Sequence, residues 1–185
     1  MPRFASIATP GLTPQPRARM NPGMVFAVCL FLLAPMTPKR GHKPPPPAPS
    51  DYKPVTVYDA ARNPAQDLQD AMREAARTKR RILLEVGGDW CVWCNIMDGL
   101  FESHPGLQNL RDSRYVRVKI NFGKDNPNEE FLSHYSRIAQ YPHFFVLDSQ
   151  GKLLESRDTG AFEHGRTYNS KKLAAFLKKW APRAK

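Results

Sequence analysis

From Ala60 to Lys79 apolar residues recur at three- and four-residue intervals (Ala61, Ala65, Leu68, Ala71, Met72, Ala75), with good helix formers between them. That spacing predicts an amphipathic helix. Ile82-Leu83-Leu84-Glu85-Val86 follows as a short, nearly unbroken apolar run, the pattern of a strand buried on both faces. Gly87-Gly88-Asp89-Trp90 interrupts it, and helical spacing resumes at Cys91 and runs toward Ser103. Tyr115-Val116-Arg117-Val118-Lys119-Ile120 alternates as a strand does, and Asn126-Pro127-Asn128 opens a helix expected to reach about Ser136. Phe144 to Leu147 and Lys152 to Glu155 flank Asp148-Ser149-Gln150-Gly151, a hairpin pattern. Ser170 is expected to cap a last helix with Leu173, Phe176, Leu177 and Trp180 on one face. Helix, strand, helix, strand, helix, strand, strand, helix predicts an α/β fold with a mixed central β-sheet flanked by helices.

Residues 1–50 have a different texture, and the globular domain is expected over 51–185. They hold 12 of the 18 prolines, including Pro44-Pro45-Pro46-Pro47, so an extended or disordered linker is expected there. The strongly apolar run inside this stretch goes from Met24 to Met36 and follows Arg17 and Arg19, the layout of a signal peptide. As a helix it would span ~20 Å, short of the ~30 Å hydrocarbon core, which favours a signal over a stable span. No small-x-small cleavage pattern follows it, so an uncleaved membrane anchor stays open, as do Met20 and Met24 as alternative starts. Cys29 reads as an apolar residue within that run.

Charge changes the picture little once it is located. The formal charge of +11 divides into +6 over residues 1–50, which carry no acid, and +5 over the rest, where both signs are interspersed. No nucleic-acid face is expected from that distribution.

The chemistry lies in Cys91-Val92-Trp93-Cys94. Disulfide exchange needs a thiolate nucleophile and a second thiol that resolves the mixed disulfide. A C-x-x-C pair opening a helix supplies both, because unpaired amides and the helix dipole favour the anion of the first sulfur. Half of a zinc site is the alternative. Such a site needs four ligands, and His104, His134, His143 and His164 do not show the spacing that would complete one. A metal site and a cofactor are therefore not expected.

Leu84 to Cys94 resembles the active-site strand and loop of the thioredoxin superfamily, closest to bacterial periplasmic thioredoxin-like reductases and the C-terminal domain of DsbD-type electron transporters. Lys119-Ile120-Asn121 resembles its central strand, and Gln140-Tyr141-Pro142-His143-Phe144-Phe145-Val146-Leu147 its cis-proline strand. The likeness covers roughly residues 58–181. It implies a thioredoxin-like fold and a thiol-disulfide oxidoreductase with Cys91 as attacking thiolate and Cys94 as resolving thiol. Glu85, six positions before Cys91, stands where the family keeps a buried acid, usually Asp. The resemblance makes it a proton acceptor and donor for Cys94; a structural ion pair with Lys119 is the other reading. Pro142 is implied to be cis and to present the Tyr141 backbone to substrate. Trp90 is expected at the rim, while Trp93 departs from the family's common dipeptides. His143 is considered as a cation beside Cys91, against a plain strand residue. Ala161 to Asn169 either edges the site or is a plain loop. The partners implied are protein thiols and disulfides and an unidentified redox partner, with a possible N-terminal membrane tether. A monomer is expected, in the periplasm, secreted or anchored to the inner membrane. Two further readings stay open: a thioredoxin-fold binding or chaperone adaptor, and a copper handler using both thiolates.

Overall fold

The computed structural model describes residues 50–183. The signal or anchor segment, Cys29 and the proline-rich linker lie outside the described residues, which contain no helix long and apolar enough to cross a membrane.

The first helix, α1 (Pro64–Thr78), starts later than its periodicity suggests. Asn63 Oδ1 accepts hydrogen bonds from the Ala65 and Gln66 amides at 3.0 and 3.2 Å, and Pro64 occupies a position whose N–H would be unpaired anyway. These local signals outweigh the apolar Ala61, which is left exposed ahead of the helix. Lys79 ends the helix in the left-handed region, with φ 57°.

Four strands form the main sheet in the order β2-β1-β3-β4. At its centre β1 (Arg81–Gly87) runs parallel to β2 (Tyr115–Asn121) and antiparallel to β3 (His143–Leu147). The outer β4 (Leu153–Asp158) pairs antiparallel with β3. A central strand covered on both faces has no wet side, which accounts for the apolar run around Glu85. The crossover from β1 to β2 is made by α2 (Val92–Ser103) and α3 (Pro105–Arg114). The second of these has no counterpart in the expected order. Only Leu107 and Leu110 are apolar within it, and its one start signal is Pro105 at the first turn.

The helix expected over residues 126–136 is only α4 (Glu129–Leu132). Side chains of the preceding loop hold other partners: Asn128 Nδ2 donates to Asn121 O at 2.7 Å, and Asn126 Nδ2 to Ala60 O at 2.8 Å. A 3₁₀ turn (Thr159–Phe162) and the short pair β5 (Glu163–His164) and β6 (Thr167–Tyr168) lead to α5 (Ser170–Trp180). The cap of α5 is Asn169, one residue before the expected Ser170, accepting from the Lys171 and Lys172 amides at 3.1 and 3.0 Å. Asn169→Ala should cost about 1 kcal/mol of unfolding free energy in a urea titration while leaving the cysteine chemistry unchanged. An unchanged midpoint would mean the cap contributes nothing.

The layers follow from strand alternation. Leu83, Phe144 and Val146 face Met97, Leu100 and Phe101 of α2 and Leu173, Phe176 and Leu177 of α5. Ile82, Leu84, Val86, Phe145 and Leu147 face the other way, against Ala71 and Ala75 of α1. An extended segment ahead of α1 runs beside β2, with Val55 bridged to Val118, and this brings Tyr58 to the end of the sheet where the cysteines sit.

Candidate active site

Where β1 ends, the chain must turn onto α2 within a few residues. The Cys91 amide donates to Gly88 O at 2.9 Å, closing the turn, and Cys91 becomes the N-cap of α2. Its sulfur accepts from the Cys94 amide at 3.1 Å, a first-turn donor that also reaches the Cys91 carbonyl at 3.0 Å. Cys91 and Cys94 are joined as a disulfide across a Cα separation of 5.2 Å. Both are enclosed, Cys91 4% exposed and Cys94 not at all. Gly87 is required by this packing. A Cβ there would collide with Cys94 Sγ and stand 2.8 Å from Tyr58 Oη.

On the other side of Tyr58 from the cysteines lies a carboxyl group with no contact to solvent. Glu85 is fully buried, and Tyr58 Oη donates to its Oε1 at 3.0 Å. Lys119, its register partner on β2, brings Nζ within 3.9 Å of the same oxygen. That ammonium is held more closely by Asp98 Oδ2, at 2.5 Å, and lies 4.3 Å above the Tyr58 ring. Among the described residues Glu85 Oε2 has no hydrogen-bond partner. Burial raises the Glu85 pKa above the ordinary carboxylate value, opposed chiefly by Lys119 and reinforced by Asp98. Burial, followed by the neighbouring Glu85, pushes the Tyr58 hydroxyl well above its usual range.

Aromatic rings form the wall. Trp90 is 57% exposed, its Nε1 donating to Phe122 O at 2.6 Å and its ring edge-on to Tyr141 at 5.6 Å. Tyr141 stacks on Phe122 at 4.8 Å. The Tyr141-Pro142 peptide is cis, and the Pro142 carbonyl accepts from the buried Thr159 hydroxyl at 2.6 Å. Trp93 packs on Tyr168 at 5.1 Å, and the Tyr168 hydroxyl donates to Trp93 O at 3.4 Å. Ala161 to Asn169 therefore edges the site, through Tyr168. An open groove of ≈ 830 Å³ runs past Trp90 between Tyr58, Asn121, Phe122 and Asp125.

The structure thus gathers Cys91, Cys94, Glu85, Trp90, Trp93, Tyr141 and Pro142 around one point. His143 is the exception and corrects the reading of it as a cation beside Cys91. It pairs in register with Val86, so its side chain shares the sheet face opposite α2. There its Nε2 bonds Ser156 Oγ at 2.8 Å and its ring packs on Phe145 at 4.7 Å. Burial lowers its pKa, which favours the neutral ring.

Four residues near the site went unrecognised as candidates from sequence: Tyr58, Asp98, Lys119 as a partner of Asp98, and Tyr168. Asp98 did carry a signal, being one turn beyond Cys94 on the same side of α2. Tyr58 carried none, since it precedes every periodic element. Among the described residues no group of three or more His, Cys, Asp or Glu converges as a metal ion would require.

Residues 63–149 match a family model described as thioredoxin-like. The thiol:disulfide interchange protein DsbD of Pseudomonas fluorescens is 31% identical over 132 residues, which is 68% of this chain and 20% of that protein. The protein of the same name from Pectobacterium atrosepticum is 25% identical over 120 residues, 64% of this chain and 20% of its own length. The chain spans about a fifth of the curated relatives it matches. The disulphide isomerase from Xylella fastidiosa Temecula1 shares the fold, with a TM-score of 0.57 at 24% identity over 66% of this chain and 94% of that one. With its cysteine pair at the head of the helix that follows the central strand, the chain has a thioredoxin-like fold, and its sequence likeness is to thiol:disulfide interchange proteins named DsbD.

Proposed function

We propose that this domain is a thiol-disulfide oxidoreductase that reduces protein disulfides in a bacterial periplasm. The observation that carries the reading is the Cys91–Cys94 disulfide at the N-terminus of α2, packed against Tyr58, whose hydroxyl donates to the buried Glu85. In the reduced state the Cys91 thiolate attacks one sulfur of a substrate disulfide. The substrate S–S bond breaks, one substrate sulfur leaves as a thiolate, and the other is bound to Cys91. Cys94 then loses its proton, with Glu85 as acceptor, and attacks Cys91 Sγ. The Cys91–Cys94 bond forms and the second substrate thiolate leaves, so two electrons have passed from the protein dithiol to the substrate disulfide. Pro142 and the Tyr141 backbone align the substrate chain, and Trp90 and Trp93 frame its approach. His143 has no part in these steps. The basic and apolar stretch before residue 50 supports export or tethering, with the proline run as a semi-rigid spacer.

The reduction potential of the full chain tests this, read after equilibration in dithiothreitol and glutathione buffers. A reversible two-electron couple near the ~ −270 mV of thioredoxins is expected. A value near ~ −120 mV would turn the assignment toward a disulfide-forming oxidant. Absence of any reversible couple would remove the enzyme reading and leave a binding adaptor or a thiolate metal handler.

A further inference from the structure

Glu85 is assigned above to the proton of Cys94, yet its hydrogen bond comes from another group. Oε1 accepts from Tyr58 Oη at 3.0 Å, and Oε2 has no hydrogen-bond partner among the described residues. The same tyrosine oxygen lies beside Cys94. One methyl group placed on Gly87 would strike Cys94 Sγ and meet Tyr58 Oη at 2.8 Å, so sulfur and hydroxyl flank a single point. Tyr58, Cys91 and Cys94 also form one packed cluster. A hydroxyl has one proton and two lone pairs. With the proton directed at Glu85, the lone pairs remain free to accept a proton from the sulfur.

We propose that Tyr58 is the proton relay between Cys94 and Glu85. This rests on the redox reading above. As the Cys91 mixed disulfide is resolved, the Cys94 S–H bond breaks and its proton passes to Tyr58 Oη. The proton already on Tyr58 passes to Glu85 Oε1. The resulting Cys94 thiolate attacks Cys91 Sγ and expels the substrate thiolate. Tyr58 ends neutral, as it began, and Glu85 ends protonated. Re-reduction of the disulfide runs the same transfers backward.

The surroundings suit a relay that never ionises. Burial holds the Tyr58 hydroxyl well above its usual range, which disfavours a free phenolate, and burial raises the proton affinity of Glu85. The charged and titratable groups around Glu85 are Lys119 and Arg117 from β2, Asp98 from α2, and Tyr58 and Tyr168 at the site itself. Asp98 draws the Lys119 ammonium to 2.5 Å, leaving it 3.9 Å from Glu85, so the hydrogen bond to Oε1 falls to Tyr58.

The test uses the reduced full chain carrying Cys29→Ser, mixed with one equivalent of 5,5′-dithiobis(2-nitrobenzoate). The first thiolate released reports attack by Cys91, and the second reports resolution by Cys94. Tyr58→Phe is expected to slow the second release roughly a hundredfold, to flatten its pH dependence, and to leave the first unchanged. Glu85→Gln should do the same, and the double variant should be no slower than either single. An unaltered second release in Tyr58→Phe, or losses that multiply in the double variant, overturns the relay. So does equal slowing of both releases alongside a lowered melting temperature, which marks a structural role. Should Tyr58→Phe not fold, the unmodified protein still decides. Its second release in mixtures of light and heavy water should curve as two protons in flight require, and a linear dependence overturns the proposal. If the unmodified protein shows no second release at all, the redox reading fails and the relay falls with it.

Discussion

Cys91→Ser is expected to reduce disulfide exchange to the uncatalysed background, whereas Cys94→Ser should leave the substrate covalently trapped on Cys91. The two outcomes differ because the two sulfurs act in different steps. Cys91 is the N-cap of α2, and serine is among the best N-caps, so the Cys94 amide keeps an acceptor and the helix keeps its start. Loss of activity in Cys91→Ser is then loss of the nucleophile and not of the fold, which circular dichroism checks. Cys94 is sealed beneath it, and without that sulfur the mixed disulfide waits for an external thiol. Insulin reduction by dithiothreitol measures the first effect, and a non-reducing gel after incubation with a disulfide-containing protein shows the second. Residual turnover in Cys91→Ser near the unmodified rate would contradict the assigned order of attack.

Lys119→Met should be the largest stability change at the site, about 3–5 kcal/mol, because it leaves Glu85 buried without its nearest cation and frees Asp98 from its tightest partner. The loss should depend on pH with a definite sign. Folding raises the Glu85 pKa, so the folded state keeps that proton to higher pH than the unfolded chain does. The carboxyl's contribution is therefore fully present below its ordinary pKa and is lost as pH rises through the raised folded value. Removing Lys119 raises the folded value further. The variant should approach the unmodified protein as pH falls to the ordinary carboxylate range and fall away from it as pH rises above that range. Glu85→Gln in the same background should recover most of the loss, since an amide has no charge to bury. Urea denaturation across a pH series measures all of this, and a loss of equal size at every pH would show that Glu85 is not the group responsible.

The expected elements and the observed ones part company at identifiable places. The strands around Glu85 and Phe145 follow their apolar runs because a sheet covered on both faces needs such runs and little else. The start of α1 and the cap of α5 were set by asparagines at 63 and 169, whose side chains satisfy first-turn amides more directly than any periodicity could indicate. The third helix, Pro105–Arg114, is polar on most sides and lies over α5 and the sheet edge, so its stability comes from docking, which a local pattern does not contain. The segment after Asn128 fell short of its predicted length: past Leu132 the His134 and Tyr135 amides donate to carbonyls three residues back, at 3.4 and 3.0 Å, and the regular helix ends.

What the amino-acid order determined by itself was local in the chain. The C-x-x-C spacing, the strand and glycine turn before it, and the acid six residues upstream lie within one stretch, and strand-to-helix geometry carries them into proximity. What only the tertiary structure decided depended on register and on distant segments. Parallel pairing of β1 with β2 set Lys119 opposite Glu85, and the helix above brought Asp98 onto Lys119. Antiparallel pairing of β1 with β3 put His143 on the wrong face for chemistry at Cys91, although it adjoins Pro142 in sequence. Tyr58 reached Cys94 only because the segment ahead of α1 pairs beside β2. Side chains alternate across a sheet with a period of two, so one step of register exchanges a site residue for a core residue, and no local pattern sets that step.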